Sequence, residues 1–376
     1  MIKYKKKSKT MCLGMIVKDE EADIVRCLDS VVDYIDYWVI CDTGSQDNTV
    51  QIVKDYFNSK GINGELHEDE WVDFSTNRNN VIQRATGKTD YILYMDADDY
   101  LKPSKNAFKE LIEEEPDYAE CRLHLGTTSY GRCIVTKNNG RYKYKGVLHE
   151  YLCHISESWD DVSRCMMDSV EMIAHTSPLK RFPTSEAKYF NDAMVLLKGI
   201  EKDPENARYY FYLGQSYMNC KHYHDALNAY NKRVTMGGFD QEVYYAMYQA
   251  ASCMAALNYP QEKVEEAYLK AWENRPERIE ALFELLRRLN GSQRYVTAYA
   301  LGKMAYNKAS REDSVFINSY IYDFGFLDEL SVAAFYMGDY DLCRECVHQI
   351  DKYDAVPEKE KERYEKNKAH MLNPPK

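Results

Sequence analysis

Tyr91-Ile92-Leu93-Tyr94-Met95-Asp96-Ala97-Asp98-Asp99 passes from five residues of high β-propensity into a run of carboxylates. Entered through the turn-like Thr86-Gly87-Lys88-Thr89 and left through Pro103, the apolar part reads as a buried strand. Side chains two apart on a strand point the same way, so Asp96 and Asp98 are expected to aim together from its exit. Paired acidic oxygens suit a hard divalent cation, which prefers oxygen ligands and bridges a protein carboxylate to substrate phosphates. The competing reading is a solvated acidic turn, because Asp also favours strand-ending turns for its own hydrogen bonds. The flanking segments decide between the two.

Upstream, strand-like and helix-like segments alternate. Met11 to Val17 reads as a first strand, Glu20 to Val32 as a helix with Ile24, Cys27, Leu28 and Val31 on one face, and Trp38 to Cys41 as a second strand. Asp42-Thr43-Gly44-Ser45-Gln46-Asp47-Asn48-Thr49 is rich in helix-capping residues and precedes a helix from Val50 to Asn58. Glu65-Leu66-His67 gives a short third strand, Arg78 to Ala85 a helix, and Tyr91 to Met95 the fourth strand. This alternation predicts an α/β domain with a mostly parallel sheet. In such sheets ligands sit at the carboxyl ends of the strands, which would bring Lys18 to Glu20, Asp42 to Ser45 and Asp96 to Asp99 to one crevice.

From about Glu186 the pattern becomes helical throughout. Tyr210-x-x-Leu213-Gly214-x-x-Tyr217 followed by Ala226-x-x-x-Tyr230 fits a tetratricopeptide unit, and weaker echoes follow at irregular spacing. At 376 residues the chain exceeds what one hydrophobic core supports. Three segments are therefore expected: a basic arm 1–9, an α/β domain 10–185 and an all-α repeat domain 186–376. Thirty-three tyrosines, many in the helical half, are read first as repeat packing.

A net charge of −11, from 49 basic and 60 acidic side chains, argues against a nucleic-acid-binding face. No stretch approaches the ~18 apolar residues of a transmembrane helix, so no integral membrane segment is expected. Eleven scattered cysteines form neither a disulfide framework nor a zinc pattern, which suits a reducing, cytoplasmic setting. Cys343 and Cys346 have CxxC spacing without a second pair and are read as core residues.

The order Met15-Ile16-Val17-Lys18-Asp19-Glu20-Glu21, Cys27-Leu28-Asp29-Ser30 and Val39 to Thr49, then Phe74-Ser75-Thr76-Asn77-Arg78-Asn79 and Asp96-Ala97-Asp98, resembles glycosyltransferase family 2 with its DXD motif. The helical half resembles, more loosely, a subgroup in which such a domain precedes tetratricopeptide-like repeats and which includes peptide glycosyltransferases. The resemblance implies a GT-A (Rossmann-like) fold, a nucleotide-sugar donor, a divalent cation and inversion at the anomeric carbon. It implies Mn²⁺ or Mg²⁺ on Asp98, with Asp96 on the metal or the donor ribose. Asp42 would accept from a uracil N–H, Arg78 would reach a base carbonyl or phosphate oxygen, and Lys18 and Glu20 would shape the loop under the base. Each has a structural competitor: Asx-turn or N-cap duty for Asp42 and Asp47, an acidic partner for Arg78, and a helix start for Glu20.

Tyr142 to Glu150 resembles the His-Glu segment late in the same domain. Inversion requires a base on the face opposite the leaving group. Glu150 is the first candidate and Asp99 the second, with His149 as a further metal ligand, since imidazole suits Mn²⁺ better than Mg²⁺. The family commonly has Asn at the position of Asp19, and no acceptor motif is found. The expected activity is transfer from a UDP-sugar to a protein, peptide or glycan acceptor, with a homodimer through the helical domain a further expectation. The alternatives are a repeat scaffold with a relic nucleotide-sugar domain and a sugar-nucleotide pyrophosphorylase. The latter would need a Gly-rich loop after the first strand, where Val17-Lys18-Asp19-Glu20 stands instead.

Overall fold

The computed structural model describes residues 9–125, 128–156, 159–174, 182–313, 315–353 and 356–372. The basic arm, apart from Lys9, lies outside them. The chain forms two compact units, Met1–Phe182 and Pro183–Lys376.

The first unit contains β1 (Met11–Val17), α1 (Ile24–Val31), β2 (Tyr37–Asp42), α2 (Thr49–Lys60), β3 (Gly64–Glu68), α3 (Phe74–Ala85), β4 (Tyr91–Tyr94), β5 (Tyr100–Pro103), α4 (Glu110–Glu113), β6 (Tyr118–Leu125), β7 (Thr128–Lys137), β8 (Tyr142–Lys145), β9 (Tyr151–His154) and β10 (Arg164–Ile173). Eight strands form one sheet in the order β3-β2-β1-β4-β7-β6-β10-β5, and β8 and β9 form a separate hairpin ladder. Four of the seven pairings in the large sheet are parallel: β3 with β2, β2 with β1, β1 with β4, and β6 with β10. β1 and β4 are buried almost throughout, as strands covered on both faces must be. Their apolar side chains divide between two clusters. Leu13, Met15 and Leu93 pack with Ile24 and Leu28 of α1 and with Val53 and Phe57 of α2, whereas Cys12 and Ile92 pack with Val81 and Ile82 of α3.

Three boundaries differ from the sequence expectation, each for a local reason. α1 starts at Ile24 rather than Glu20, because the amides of Asp23 and Ile24 first turn onto the Glu20 carbonyl. α3 starts at Phe74 rather than Arg78, because the Asp73 carboxylate caps it by accepting from the Thr76 amide at 2.7 Å. β4 ends at Tyr94, and Asp99 N–H bonds the Asp96 carbonyl, so the acidic tetrapeptide is a turn. Asp96 and Asp98 are thus not governed by strand alternation.

The second unit contains α5 (Ser185–Lys202), α6 (Ala207–Asn219), α7 (Tyr223–Met236), α8 (Asp240–Ala256), α9 (Gln261–Asn274), α10 (Glu280–Gly291), α11 (Tyr295–Ala305), α12 (Phe326–Tyr336), α13 (Tyr340–Tyr353) and α14 (Lys361–Leu372). From α5 to α14 each helix packs on the next in sequence, the arrangement of a helical-repeat array. Tyr230, Tyr244, Tyr268 and Tyr364 are fully buried, so much of the tyrosine content is core. Cys343 and Cys346 are buried as well, and burial pushes the Cys343 thiol up to about 11, away from thiolate chemistry.

Gly214 shows why the repeat motif needs a small residue. A Cβ there would lie 2.7 Å from the Tyr230 ring, itself 1% exposed. Gly214→Ala gains about 1 kcal/mol of helix propensity but overpacks a closed contact, at a cost of about 1–3 kcal/mol. A net loss of stability is expected in urea unfolding, and an unchanged or raised midpoint would show that the Tyr230 ring can move aside.

Candidate functional site

At the carboxyl end of β1 the chain enters the 18–23 loop, whose Asp19 has φ 53°, a left-handed conformation that Asp and Asn tolerate better than most residues. This loop is laced to the one following β2. Asp19 N–H donates to Ser45 Oγ at 3.0 Å, and its carboxylate accepts from the Gln46 amide at 2.7 Å. Glu20 N–H donates to Thr49 Oγ1 at 2.7 Å, and Glu21 N–H to the Asp47 carboxylate at 3.0 Å. Asp42 is buried at the end of β2 and accepts from the Gly44 and Ser45 amides and the Ser45 hydroxyl. The turn role weighed for Asp42 is therefore real, although a carboxylate retains acceptor capacity beyond three bonds.

A cleft of about 800 Å³ opens over the ends of β2 and β3, lined by residues 42–47, Val50 and residues 68–71. Lys18 and Glu20 are not among its lining residues. Its wall from Glu68 to Trp71 is held from behind. Asn77 donates to the Glu70 carbonyl and accepts from the Val72 amide, both at 3.0 Å. Arg84 clasps Asp69 with two nitrogens at 2.8 and 2.9 Å, and that hydrogen-bonding pair keeps the Asp69 carboxyl below its ordinary range. Trp71 is 43% exposed at this wall, its ring edge-to-face with Phe74.

Two strands along the same edge lies a chain of alternating charges. Arg78 of α3 donates to Asp96 at 2.5 Å and to Glu150, in the turn between β8 and β9, at 2.8 Å. Arg132 of β7 donates to the other Asp96 oxygen at 2.6 Å and to Asp99 at 3.2 Å. The sequence Glu150–Arg78–Asp96–Arg132–Asp99 thus links three carboxylates through two guanidiniums. Burial opposes the charge on Asp96, but the two guanidiniums outweigh it and hold its carboxyl well below the usual range. Burial likewise opposes the charge on Arg78, and Asp96 and Glu150 overcome it. Arg78 also lies over the Tyr144 ring, and Asn79 grips the Tyr144 main chain at 2.7 and 2.9 Å, which ties α3 to β8 and sets the turn carrying Glu150.

The structure therefore brings Arg78, Asp96, Asp99 and Glu150 together and places Asp42 on the neighbouring cleft. The acidic neighbour weighed for Arg78 exists twice over. Asp98 turns its carbonyl to Arg26 at 2.8 Å. His149 is exposed, with φ 51°. Among the described residues no three His, Cys, Asp or Glu side chains cluster as a metal site. Both Asp96 oxygens are engaged by guanidiniums, so a cation beside them would take few protein ligands and would depend on diphosphate oxygens to fill its shell. Arg132 was not anticipated. Its signal was a lone guanidinium in the otherwise apolar stretch Gly131-Arg132-Cys133-Ile134-Val135.

Two segments of the chain match known families. Residues 12–145 match Glycosyl transferase family 2, and residues 195–228 match the Tetratricopeptide repeat. The chain is 29% identical over 150 residues to the SPbeta prophage-derived glycosyltransferase SunS of Bacillus subtilis (strain 168), covering 38% of this chain and 34% of that protein. It is 42% identical over 90 residues to a TPR repeat-containing protein of Synechococcus elongatus, covering 24% of this chain and 20% of that one. The matched stretches thus span about a third or less of these relatives. Among solved structures, S. aureus TarS 1-349 in complex with UDP-GlcNAc aligns with a TM-score of 0.42 at 14% identity, over 69% of this chain and 92% of that one. The first unit of the chain carries a glycosyltransferase family 2 domain, and a tetratricopeptide repeat region follows it.

Proposed function

We propose that the chain is an inverting, metal-dependent glycosyltransferase that moves a sugar from a UDP-sugar to a hydroxyl or other nucleophile of a protein, peptide or glycan. The observation that carries this reading is the convergence of Arg78, Asp96, Arg132, Asp99 and Glu150 at the carboxyl edge of a family 2 domain, beside a cleft at the ends of β2 and β3. The similarity to SunS and the UDP-GlcNAc complex of TarS are in keeping with it.

In this reading the nucleoside enters the cleft against Asp42. The diphosphate lies toward Asp98 and Arg78, with Asp96 on the ribose side. Asp98, with His149 as a further ligand, would hold Mn²⁺ or Mg²⁺, which would supply Lewis-acid neutralisation of the diphosphate. Glu150 takes the acceptor proton as the acceptor oxygen bonds to the anomeric carbon, and the bond from that carbon to the diphosphate oxygen breaks on the opposite face. Glu150 is preferred to Asp99 because its side chain is 14% exposed against 4%, and a base must reach its substrate. Lys18 and Glu20 act through the β1–α1 loop. The helical repeats offer a long surface for an extended acceptor.

The test is a panel of UDP- and GDP-sugars with the purified chain and Mn²⁺, following nucleotide release with and without EDTA. Slow hydrolysis of one donor, lost on chelation and in Asp98→Ala, is expected. If no donor is hydrolysed and UDP with Mn²⁺ leaves the melting temperature unchanged, the scaffold reading replaces this one.

A further inference from the structure

The chain has four tryptophans, and it engages three of them internally. Trp38 stacks on Phe57 with centroids 4.5 Å apart and donates its indole N–H to the Ile62 carbonyl at 3.1 Å. Trp272 donates to the Pro276 carbonyl at 3.0 Å. Trp159 meets Tyr118 edge-to-face, with the Arg164 guanidinium 4.5 Å from its ring centre. Trp71 is the exception. Among the described residues its indole N–H has no acceptor and its one ring partner is Phe74, and it stands half-exposed at the wall of the cleft over β2 and β3. A ring of this size carries a large apolar area, which a protein ordinarily covers.

The backbone that presents this ring is fixed. The residues on either side of Trp71 are both tied to the wholly buried Asn77, which donates to the Glu70 carbonyl and accepts from the Val72 amide. Asp69 N–H donates to the Asp42 carbonyl at 2.8 Å, and Asn80 donates to the Asp69 carboxylate at 3.2 Å, so the wall is anchored both to the end of β2 and to α3. A side chain held in this way costs less ordering when a ligand covers it. The charge of the lining has a direction as well. The cleft is lined by Asp42, Asp47, Glu68, Asp69 and Glu70 and by no Lys or Arg, and Val50 and Trp71 are its only large apolar side chains. The guanidiniums of Arg78 and Arg132 stand two strands along the same edge. A diphosphate is repelled from the cleft and drawn to the guanidiniums, whereas an uncharged base is not repelled and gains from a flat apolar face.

We propose that the Trp71 indole is the platform on which the base of the donor nucleotide stacks, and that this contact holds the base end of the donor in the cleft. The inference rests on the reading of the chain as a nucleotide-sugar-dependent transferase. Every base has a π-face, so the stack supplies affinity and leaves the choice among bases to hydrogen-bonding groups such as Asp42.

The probe is UDP with Mn²⁺, titrated calorimetrically into the full-length chain and followed in parallel by indole emission. Trp71→Leu, which keeps an apolar side chain and loses the ring, is expected to weaken UDP binding by about fivefold or more, and Trp71→Phe to stay within about threefold of wild type. UDP is expected to quench the emission of wild type, because the base covers an exposed indole, and to leave the emission of Trp71→Phe unchanged although that variant binds. A Trp71→Leu chain that binds UDP as tightly as wild type overturns the proposal. So does UDP binding to wild type without a quench, or a quench that persists in Trp71→Phe, and the emission alone decides the matter if Trp71→Leu does not fold. Absence of UDP binding in wild type itself would instead remove the transferase reading on which the proposal rests, a failure distinct from a wrong role for Trp71.

Discussion

Glu150→Gln is expected to leave UDP binding unchanged and to lower turnover by about 10²–10⁴-fold, the usual contribution of a positioned general base. The substitution separates chemistry from architecture. Arg78 Nε donates to a Glu150 oxygen at 2.8 Å, and the carboxamide oxygen of Gln can accept the same bond. The turn between β8 and β9 is also held through Asn79 and Tyr144, independently of the carboxylate. What Gln lacks is the capacity to receive the acceptor proton. Nucleotide release with the active donor measures the loss, and the shift in melting temperature on adding UDP with Mn²⁺ measures the retained binding. Full activity in Glu150→Gln would move the role to Asp99, and Asp99→Asn would then carry the loss.

The parts of this molecule legible in the sequence are those with strong local signals. β1 runs from Met11 to Val17 as its apolar run indicates, and the capping-rich segment 42–49 does end a strand and open a helix. The tetratricopeptide pattern around Leu213, Gly214 and Tyr230 marks a real close contact between two helices. β6, β7 and β10 were harder to read. Their residues, such as Glu120, Arg122, Arg132 and Glu171, mix charge into strands whose pairing is settled only by partners far away in sequence. The same limit hid Arg132. Nothing local shows that a guanidinium on β7 reaches a turn more than thirty residues earlier, and the two carboxylates it joins, Asp96 and Asp99, are not the pair that strand alternation selects. Lys18 and Glu20 illustrate the converse. Their position after β1 was evident, but the chain binds that loop to the next one through main-chain and hydroxyl contacts, which sequence does not display.

Arg78→Met is expected to destabilise the first unit by about 3 kcal/mol and to abolish UDP binding. Removing one partner from a buried ion pair typically costs about 3–5 kcal/mol because it strands the other charge. The low end applies because Asp96 keeps Arg132 and is 27% exposed, which leaves Glu150 as the carboxylate most affected. Arg78→Lys is expected to recover only part of the loss, since a point charge cannot serve two carboxylates on opposite sides as a planar fork does. If the stranded Glu150 charge is the cause, Glu150→Gln in the Arg78→Met background should restore stability, so that the double variant loses less than the sum of the two single changes. Urea unfolding of the four chains measures this coupling. Strict additivity would mean that Arg78 stabilises the domain through its packing on Tyr144 rather than through charge. A coupling of 1 kcal/mol or more would show that the Glu150–Arg78–Asp96–Arg132–Asp99 chain holds its carboxylates as one unit, so that a donor competing for Arg78 also loosens Glu150.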